Sequence, residues 1–175
     1  MDVTFPEYIL TYPKSWEKEY RATCGVKEWK LRFPDQFQDW MRSTRRGTLD
    51  LFAQYALMFL LRRDEAVWSI TWYKLGDTST RSKNRERTQK YWGIMERWMG
   101  RENFHILQSA IRNAGFGTFK GEPDLFCWHP KTGNWFFAEA KGRDRLTKSQ
   151  MEWISICRQA LGEQVQIMIY RLIPE

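Results

Sequence analysis

Two short segments of the sequence carry side chains that could do chemistry together. They are 121–125, with sequence GEPDL, and 137–142, with sequence FAEAKG. A strand alternates its faces every two residues, so Glu139 and Lys141 should project from one face. The turn sequence Pro-Lys-Thr-Gly between the segments predicts a hairpin, which would place Asp124 near the same end. We therefore expect two carboxylates and one ammonium group to converge.

Such a cluster suits metal-dependent hydrolysis of a phosphodiester. Hard divalent ions such as Mg²⁺ prefer carboxylate, carbonyl and water oxygens, and the backbone carbonyl of Ala140 could add a ligand. A bound ion lowers the pKa of its water and neutralises developing charge. Lys141 could orient that water, help to deprotonate it, or stabilise the transition state. The alternative is a surface strand that carries an alternating ion pair.

These motifs, with the later run RDRLTKSQMEWI, resemble the VRR-NUC nuclease domain of the PD-(D/E)xK superfamily. The likeness covers residues 96–175, with its elements in the family's order. It implies a restriction-endonuclease-like α/β core, a mixed central sheet flanked by helices. The family's β-branched neighbours of the glutamate are replaced here by Ala138 and Ala140, and the loop after Gly142 is one residue shorter.

The resemblance also assigns residues to roles. It places three of them at the family's catalytic aspartate, glutamate and lysine: Asp124, Glu139 and Lys141. Gln150 falls on the family's glutamine at the start of the next helix, where its spacing from Thr147 also predicts a capping box. The family's glutamate on the helix before the sheet corresponds best to Glu102, with Glu96 second. The implied metal ligands are Glu102, Asp124, Glu139 and the Ala140 carbonyl.

By the same resemblance, the expected activity is a Mg²⁺- or Mn²⁺-dependent DNA endonuclease without a small-molecule cofactor. Standalone phage and bacterial members are dimers that cut four-way junctions, so we expect a homodimer acting on branched DNA, the Holliday junction first. A flap endonuclease or nickase, and a restriction-type enzyme specific for duplex sequence, remain alternatives. A non-catalytic DNA-binding module on the same fold is an alternative of another class.

Composition agrees with an anionic partner. The 175 residues carry a formal net charge of +7, with 42% hydrophobic and 16% aromatic residues, which excludes a disordered chain or a collagen. Residues 1–100 contribute 18 Lys and Arg against 13 Asp and Glu, so most of the excess lies outside the motifs. The predicted DNA-binding residues, each of which could instead be a solvated surface charge, are Arg81, Lys83, Arg85, Arg87, Lys90, Lys120, Arg143, Arg145 and Lys148.

The sequence also predicts the compartment. Three cysteines without a CxxC spacing argue against a disulfide scaffold and a zinc ribbon. No signal peptide is visible, and the longest apolar stretch is too short for the roughly 20 residues of a membrane span. We expect a soluble cytoplasmic protein of a bacterial or phage-infected cell, associated with the nucleoid.

Hydrophobic periodicity predicts the elements that position these residues. Helices are expected at 34–43, 49–63, 91–99, 102–113 and 147–161. Strands are expected at 66–75, 116–120, 124–128, 134–140 and 165–173. Together they predict an α/β fold with a mixed sheet, divided into a mostly helical region over 1–95, for DNA binding or dimerisation, and a nuclease core over 96–175.

Overall fold

The computed structural model describes residues 5–37, 46–78, 85–117 and 120–175. It contains seven α-helices and five β-strands within those ranges. In chain order they are β1 (Glu7–Tyr12), α1 (Ser15–Thr23), α2 (Lys27–Arg32), α3 (Pro34–Phe37), α4 (Phe52–Glu65), β2 (Trp68–Thr71), α5 (Arg85–Met99), α6 (Arg101–Asn113), β3 (Leu125–Trp128), β4 (Trp135–Lys141), α7 (Lys148–Leu161) and β5 (Ile167–Pro174).

The five strands form one mixed sheet in the order β1-β5-β4-β3-β2. The expected mixed α/β class is therefore confirmed. Strand β4 lies at the centre, antiparallel to β3 and parallel to β5. The crossover from β4 to β5 runs through α7, which is the arrangement that a parallel pair requires. Helix α7 is thus placed against the strand that carries Glu139 and Lys141.

Each face of the sheet packs against its own group of helices. Phe136, Ala138 and Ala140 of β4 belong to the apolar core formed with α1, α2 and α4. Phe137 belongs to the other core, which is formed with α5, α6 and α7. The alternation of β4 therefore places its odd-numbered residues on the α7 side, as the period of two predicts.

Both edge strands of the sheet come from the N-terminal part of the chain. Strand β2 lies at one edge and was expected, although it is shorter than the predicted 66–75. Strand β1 lies at the other edge, parallel to β5, in the region 1–95 where the strand at 66–75 was the one expected, so β1 was missed. The regions 1–95 and 96–175 therefore share one sheet.

The strand expected at 116–120 was also wrong for the residues that the structure describes. Phe116 and Gly117 have no strand partner, and Lys120 lies in a turn. The Phe116 N–H instead donates to the carbonyl of Ile111, and Gly115 has a φ of 81°. Phe116 thus ends α6 in a Schellman-type cap, which uses the backbone group that a strand would need.

The other predicted elements are confirmed with shifted ends. The helix expected at 34–43 is described only over Pro34–Phe37, because the rest of it lies outside the described residues. Among the described helices, none has both the length and the apolar composition that crossing a membrane would require.

Candidate active site

The candidate site lies where β3 and β4 separate. Their antiparallel pairing ends at Leu125 and Ala138, so Asp124 and Glu139 would form the next opposed pair. Instead of a backbone ladder, side chains bridge the gap. The Asp124 N–H donates to Glu139 Oε2 at 3.2 Å, and the Ala140 N–H donates to Asp124 Oδ2 at 3.0 Å. The hairpin thus brings the two predicted carboxylates together.

Lys141 lies beside Glu139 on the same face, as the alternation predicts. Its Nζ lies 3.0 Å from Glu139 Oε1, 3.0 Å from Gln150 Oε1 and 3.1 Å from Asp144 Oδ2. Glu139 is only 3% exposed and Lys141 only 5% exposed. An ammonium group has three donors and no acceptor, so these three oxygens match its donors in number.

Gln150 connects the start of α7 to this cluster. The side-chain oxygen of Gln150 accepts from the backbone N–H of Thr147 at 2.9 Å. The backbone N–H of Gln150 donates to Thr147 Oγ1 at 3.3 Å. The predicted capping box is therefore confirmed. The amide group of Gln150 also donates to Glu139 Oε1. A single side chain thus caps the helix and contacts both central residues of the site.

The segment after β4 holds Lys141 from the other side. Asp144 accepts from Lys141 and also from the Gly142 N–H at 3.2 Å, so it fixes the turn that leaves the strand. Arg171 of β5 donates to the Gly142 carbonyl and forms a two-bond ion pair with Glu7 of β1. Sequence reasoning did not single out Asp144 or Arg171. Asp144 was visible in the sequence, but its bond runs back to an N–H two residues earlier, whereas an Asx turn accepts from an N–H two residues ahead, so no turn signal predicted it.

The electrostatics reflect two desolvated acids held close together. Burial, and then the neighbouring Glu139 charge, raise the pKa of Asp124 to about 8. Burial also raises the pKa of Glu139, although the Lys141 ammonium opposes that shift. Burial opposes the charged form of Lys141, but the adjacent Glu139 carboxylate raises the pKa of Lys141 above its usual value.

A contact between two loops, which the sequence did not predict, adjoins the carboxylates. Glu122 accepts from the Lys74 N–H at 3.1 Å and from the Leu75 N–H at 2.7 Å, so it ties the segment after β2 to the segment before β3. The Tyr73 hydroxyl donates to the Pro123 carbonyl at 2.8 Å. Burial raises the pKa of Glu122 to about 8, against the effect of the two N–H donors. The Glu two residues before Asp124 was visible in the sequence, but nothing local predicts partners some 47 residues away.

The remaining predicted acids are placed elsewhere. Glu102 is exposed in the first turn of α6. The second choice, Glu96 on α5, lies 4.0 Å from His105 Nε2 of α6. Within the described ranges, there is no group of three or more His, Cys, Asp or Glu side chains that could hold a metal ion together. Asp124 and Glu139 are thus brought together, whereas Glu102 is not brought into a group of three with them.

The predicted basic residues fall into three groups. Arg81 and Lys83 lie outside the described residues. Arg85, Arg87 and Lys90 lie in the first two turns of α5. The others are exposed and flank the site along the chain: Lys120, Arg143, Arg145 and Lys148. Lys148 contacts Glu152 one turn along α7 at 3.8 Å.

The two carboxylates fit a hard divalent cation as a partial set of ligands. They offer adjacent oxygen donors, and the main chain of Ala140 is adjacent because its N–H bonds to Asp124. Mg²⁺ is commonly bound through one or two carboxylates, with waters and substrate phosphate completing its shell. A third protein carboxylate is therefore not required for the donor chemistry to match.

Comparisons with known proteins found no family model, curated protein or solved structure that matches this chain. The likeness of the sequence motifs therefore remains a resemblance.

Proposed function

We propose that this protein is a divalent-metal-dependent DNA endonuclease with a PD-(D/E)xK core. One observation carries the proposal: Asp124, Glu139, Lys141 and Gln150 come from three elements and meet at the open end of the β3–β4 hairpin. Buried charges are costly unless they are paired, so folding stability alone gives little reason to collect them.

The arrangement suggests a role for each side chain. Asp124 and Glu139 would hold Mg²⁺ or Mn²⁺, which when bound would activate water and neutralise charge on the phosphate. Lys141 is held as an ammonium by three acceptors, which favours electrostatic stabilisation over proton abstraction. Gln150 fixes the orientation of Glu139 and Lys141, so it acts as a positioning residue.

Exposed basic residues beside the site support a nucleic-acid substrate. Lys120 precedes Asp124 by four residues, and Arg143 and Arg145 follow Lys141 in the loop that leads to α7. Cationic side chains in the segments that adjoin a phosphodiesterase site could hold the phosphates that flank the scissile bond. This distribution favours a polymeric anion over a small phosphoester.

For the substrate, we propose branched DNA, with the four-way junction first and a flap second. A two-fold homodimer would present two sites to a junction of matching symmetry. Such an enzyme would act in the cytoplasm, on DNA of the nucleoid or of an infecting phage.

Isosteric variants test the site. Asn at position 124 can still accept from the Ala140 N–H, so Asp124→Asn should keep the hairpin while it removes a charged ligand. We expect the wild-type protein to cut a labelled junction with Mn²⁺ or Mg²⁺ and not with EDTA. Asp124→Asn and Glu139→Gln should bind the same DNA in a gel-shift assay without cutting it. Full metal-dependent cleavage by Asp124→Asn would show that the site is assigned wrongly.

Asp64→Asn is the matched control. Asp64 lies on the surface near the end of α4 and pairs with its neighbour Arg63. Losing an exposed pair of this kind costs at most about 1 kcal/mol, so cleavage should persist. A linear duplex and a flap in the same panel distinguish a restriction-type enzyme, which would cut plain duplex at a fixed sequence.

A second candidate, a non-catalytic DNA-binding module, is favoured by one observation. The described part of the chain gathers two acidic ligands at the site and no group of three. Binding to every DNA in the panel, with no product under either metal, would support this module over the enzyme.

A further inference from the structure

We propose that a cavity beside Asp124 binds one unstacked nucleobase of the DNA, next to the phosphodiester that the site would cut. The cavity measures about 300 Å³, and its lining residues are Leu51, Gln54, Thr71, Trp72, Glu122, Pro123 and Asp124. The inference rests on the proposed function, and it adds a recognition site that the cleavage chemistry does not use.

The sheet register places this cavity next to the carboxylates. Strand β2 pairs with β3 up to Thr71 and Leu125, so Trp72 and Asp124 are the next positions across the sheet. Asp124 and Glu139 are likewise the next positions between β3 and β4. Trp72, Asp124 and Glu139 therefore follow the same row at the end of the sheet. A ligand group beside Trp72 would adjoin a phosphate held at the carboxylates.

The backbone around the cavity is held in a conformation that costs energy. Leu51, Trp72 and Lys74 have φ values of 64°, 57° and 48°, which non-glycine residues rarely adopt. Such residues persist only where the surrounding structure imposes them, and they cluster at functional sites. Two of the three line the cavity, and Lys74 follows Trp72 by two residues.

Hydrogen bonds from several elements fix the segment that carries Trp72. Glu122 binds the N–H groups of Lys74 and Leu75. From the other side, Trp92 Nε1 donates to the Tyr73 carbonyl at 2.9 Å, and Gln108 donates to the Leu75 carbonyl at 3.2 Å. The position of Trp72 is thus set before any ligand arrives, which lowers the entropy cost of binding.

Besides the two acids, the cavity wall has an amide and a hydroxyl next to its apolar side chains. Helix α4 is buried at Phe52 and from Gln54 to Leu61, and Gln54 is the one amide side chain among these buried residues. Gln54 Nε2 donates to Thr71 Oγ1 at 2.5 Å, and both residues are buried. The amide and the hydroxyl thus partner each other on the cavity wall, where they could also contact a ligand with hydrogen-bonding edges.

These features select a nucleobase among DNA components. The volume lies at the lower end of the range for ligand pockets, which suits one ring system. An aromatic side chain can stack on the face of any base, and an amide can contact its hydrogen-bonding edge. Bases at a branch point are already partly unstacked, so withdrawing one costs less there than in continuous duplex.

The test is a double-mutant cycle between Trp72→Ala and an abasic nucleotide moved one position at a time across a four-way junction. Dissociation constants are measured in EDTA, so no cleavage is needed. At one position, the ratio of abasic to intact Kd should be at least about five-fold larger for the wild-type protein than for Trp72→Ala, as stacking of a base on an aromatic ring predicts. Gln54→Leu in the same cycle should couple at the same position.

Trp98→Ala is the matched control, because Trp98 is also partly exposed but stacks on Trp128 in the α5 side of the fold. For Trp98→Ala, the ratio of abasic to intact Kd should equal the wild-type ratio at every position. If Trp72→Ala and Gln54→Leu both kept the wild-type ratio of abasic to intact Kd at every position, the base site would be overturned while the nuclease proposal stayed intact. Failure of the wild-type protein to bind any junction would instead overturn both proposals.

Discussion

Replacing Thr147 and Gln150 separately would show whether Gln150 only caps α7 or also stabilises the charged cluster. Thr147→Ala removes one half of the capping box, the acceptor for the Gln150 N–H. A cap of this kind contributes about 1 kcal/mol to the free energy of unfolding. Because Gln150 keeps its contacts with Glu139 and Lys141, the loss should stop there.

Gln150→Ala removes the other half of the box and more. The Thr147 N–H loses its side-chain acceptor, Glu139 loses a donor and Lys141 loses one of its three acceptors. Each buried charged group that loses a partner costs about 1 kcal/mol at the lower end of the usual range. The expected loss is therefore about 3 kcal/mol, against about 1 kcal/mol for Thr147→Ala.

Urea denaturation followed by tryptophan fluorescence measures this difference. With an m-value of about 2 kcal/mol/M, the midpoint should fall by about 1.5 M for Gln150→Ala and about 0.5 M for Thr147→Ala. Equal midpoints would refute the idea that Gln150 stabilises the cluster. Under the proposed function, Thr147→Ala should also retain metal-dependent cleavage, whereas Gln150→Ala should lose most of it.

Two further pairs of variants test the fold around the site. Gly76→Ala should lower the free energy of unfolding by at least about 3 kcal/mol, because an added Cβ would lie 1.7 Å from the Phe116 carbonyl oxygen. At Gly93, within α5, an added Cβ meets open space, so Gly93→Ala should raise the free energy of unfolding by about 0.5–1 kcal/mol. A lower melting temperature for Gly93→Ala would contradict this. Trp29→Ala should lower the free energy of unfolding, measured by urea denaturation, by about 3–5 kcal/mol, because the ring is fully buried. Leu31 lies on the same helix but is 72% exposed, so Leu31→Ala should change that free energy by less than about 0.5 kcal/mol. Similar losses for both would contradict the packing.

The local parts of the site could be predicted from the sequence because the chemistry and the periodicity agree there. Alternation alone placed Glu139 and Lys141 on one face, and the turn between the two strands predicted the hairpin that brings Asp124 to them. The spacing of Thr147 and Gln150 predicted the capping box. Each of these inferences spans a few residues or one hairpin, so no long-range information was needed.

The parts that could not be predicted depend on contacts distant in the sequence. Strand β1 has six residues with exposed side chains at most positions, and it forms only because β5 offers a parallel edge. The role of Glu122 could not be predicted because its partners, the backbone N–H groups of Lys74 and Leu75, are brought beside it by the position of β2 in the sheet. The strand error at 116–120 arose because the cap of α6 competes for the same backbone groups.

Pro123 explains why the site forms at this end of the sheet. Proline has no N–H, so a β3–β4 ladder that continued past Asp124 would lose a bond at position 123. The pairing stops at Leu125 instead, which leaves the Ala140 N–H, opposite Pro123, to donate to the Asp124 carboxylate. The Asp124 N–H donates to the Glu139 carboxylate. The carbonyl of Pro123 is in turn held by the Tyr73 hydroxyl. The Pro-Asp sequence thus ends the pairing of β3 with β4 and leaves Asp124 and Glu139 opposite each other just beyond it. The end of the ladder and the pair of carboxylates therefore have the same cause.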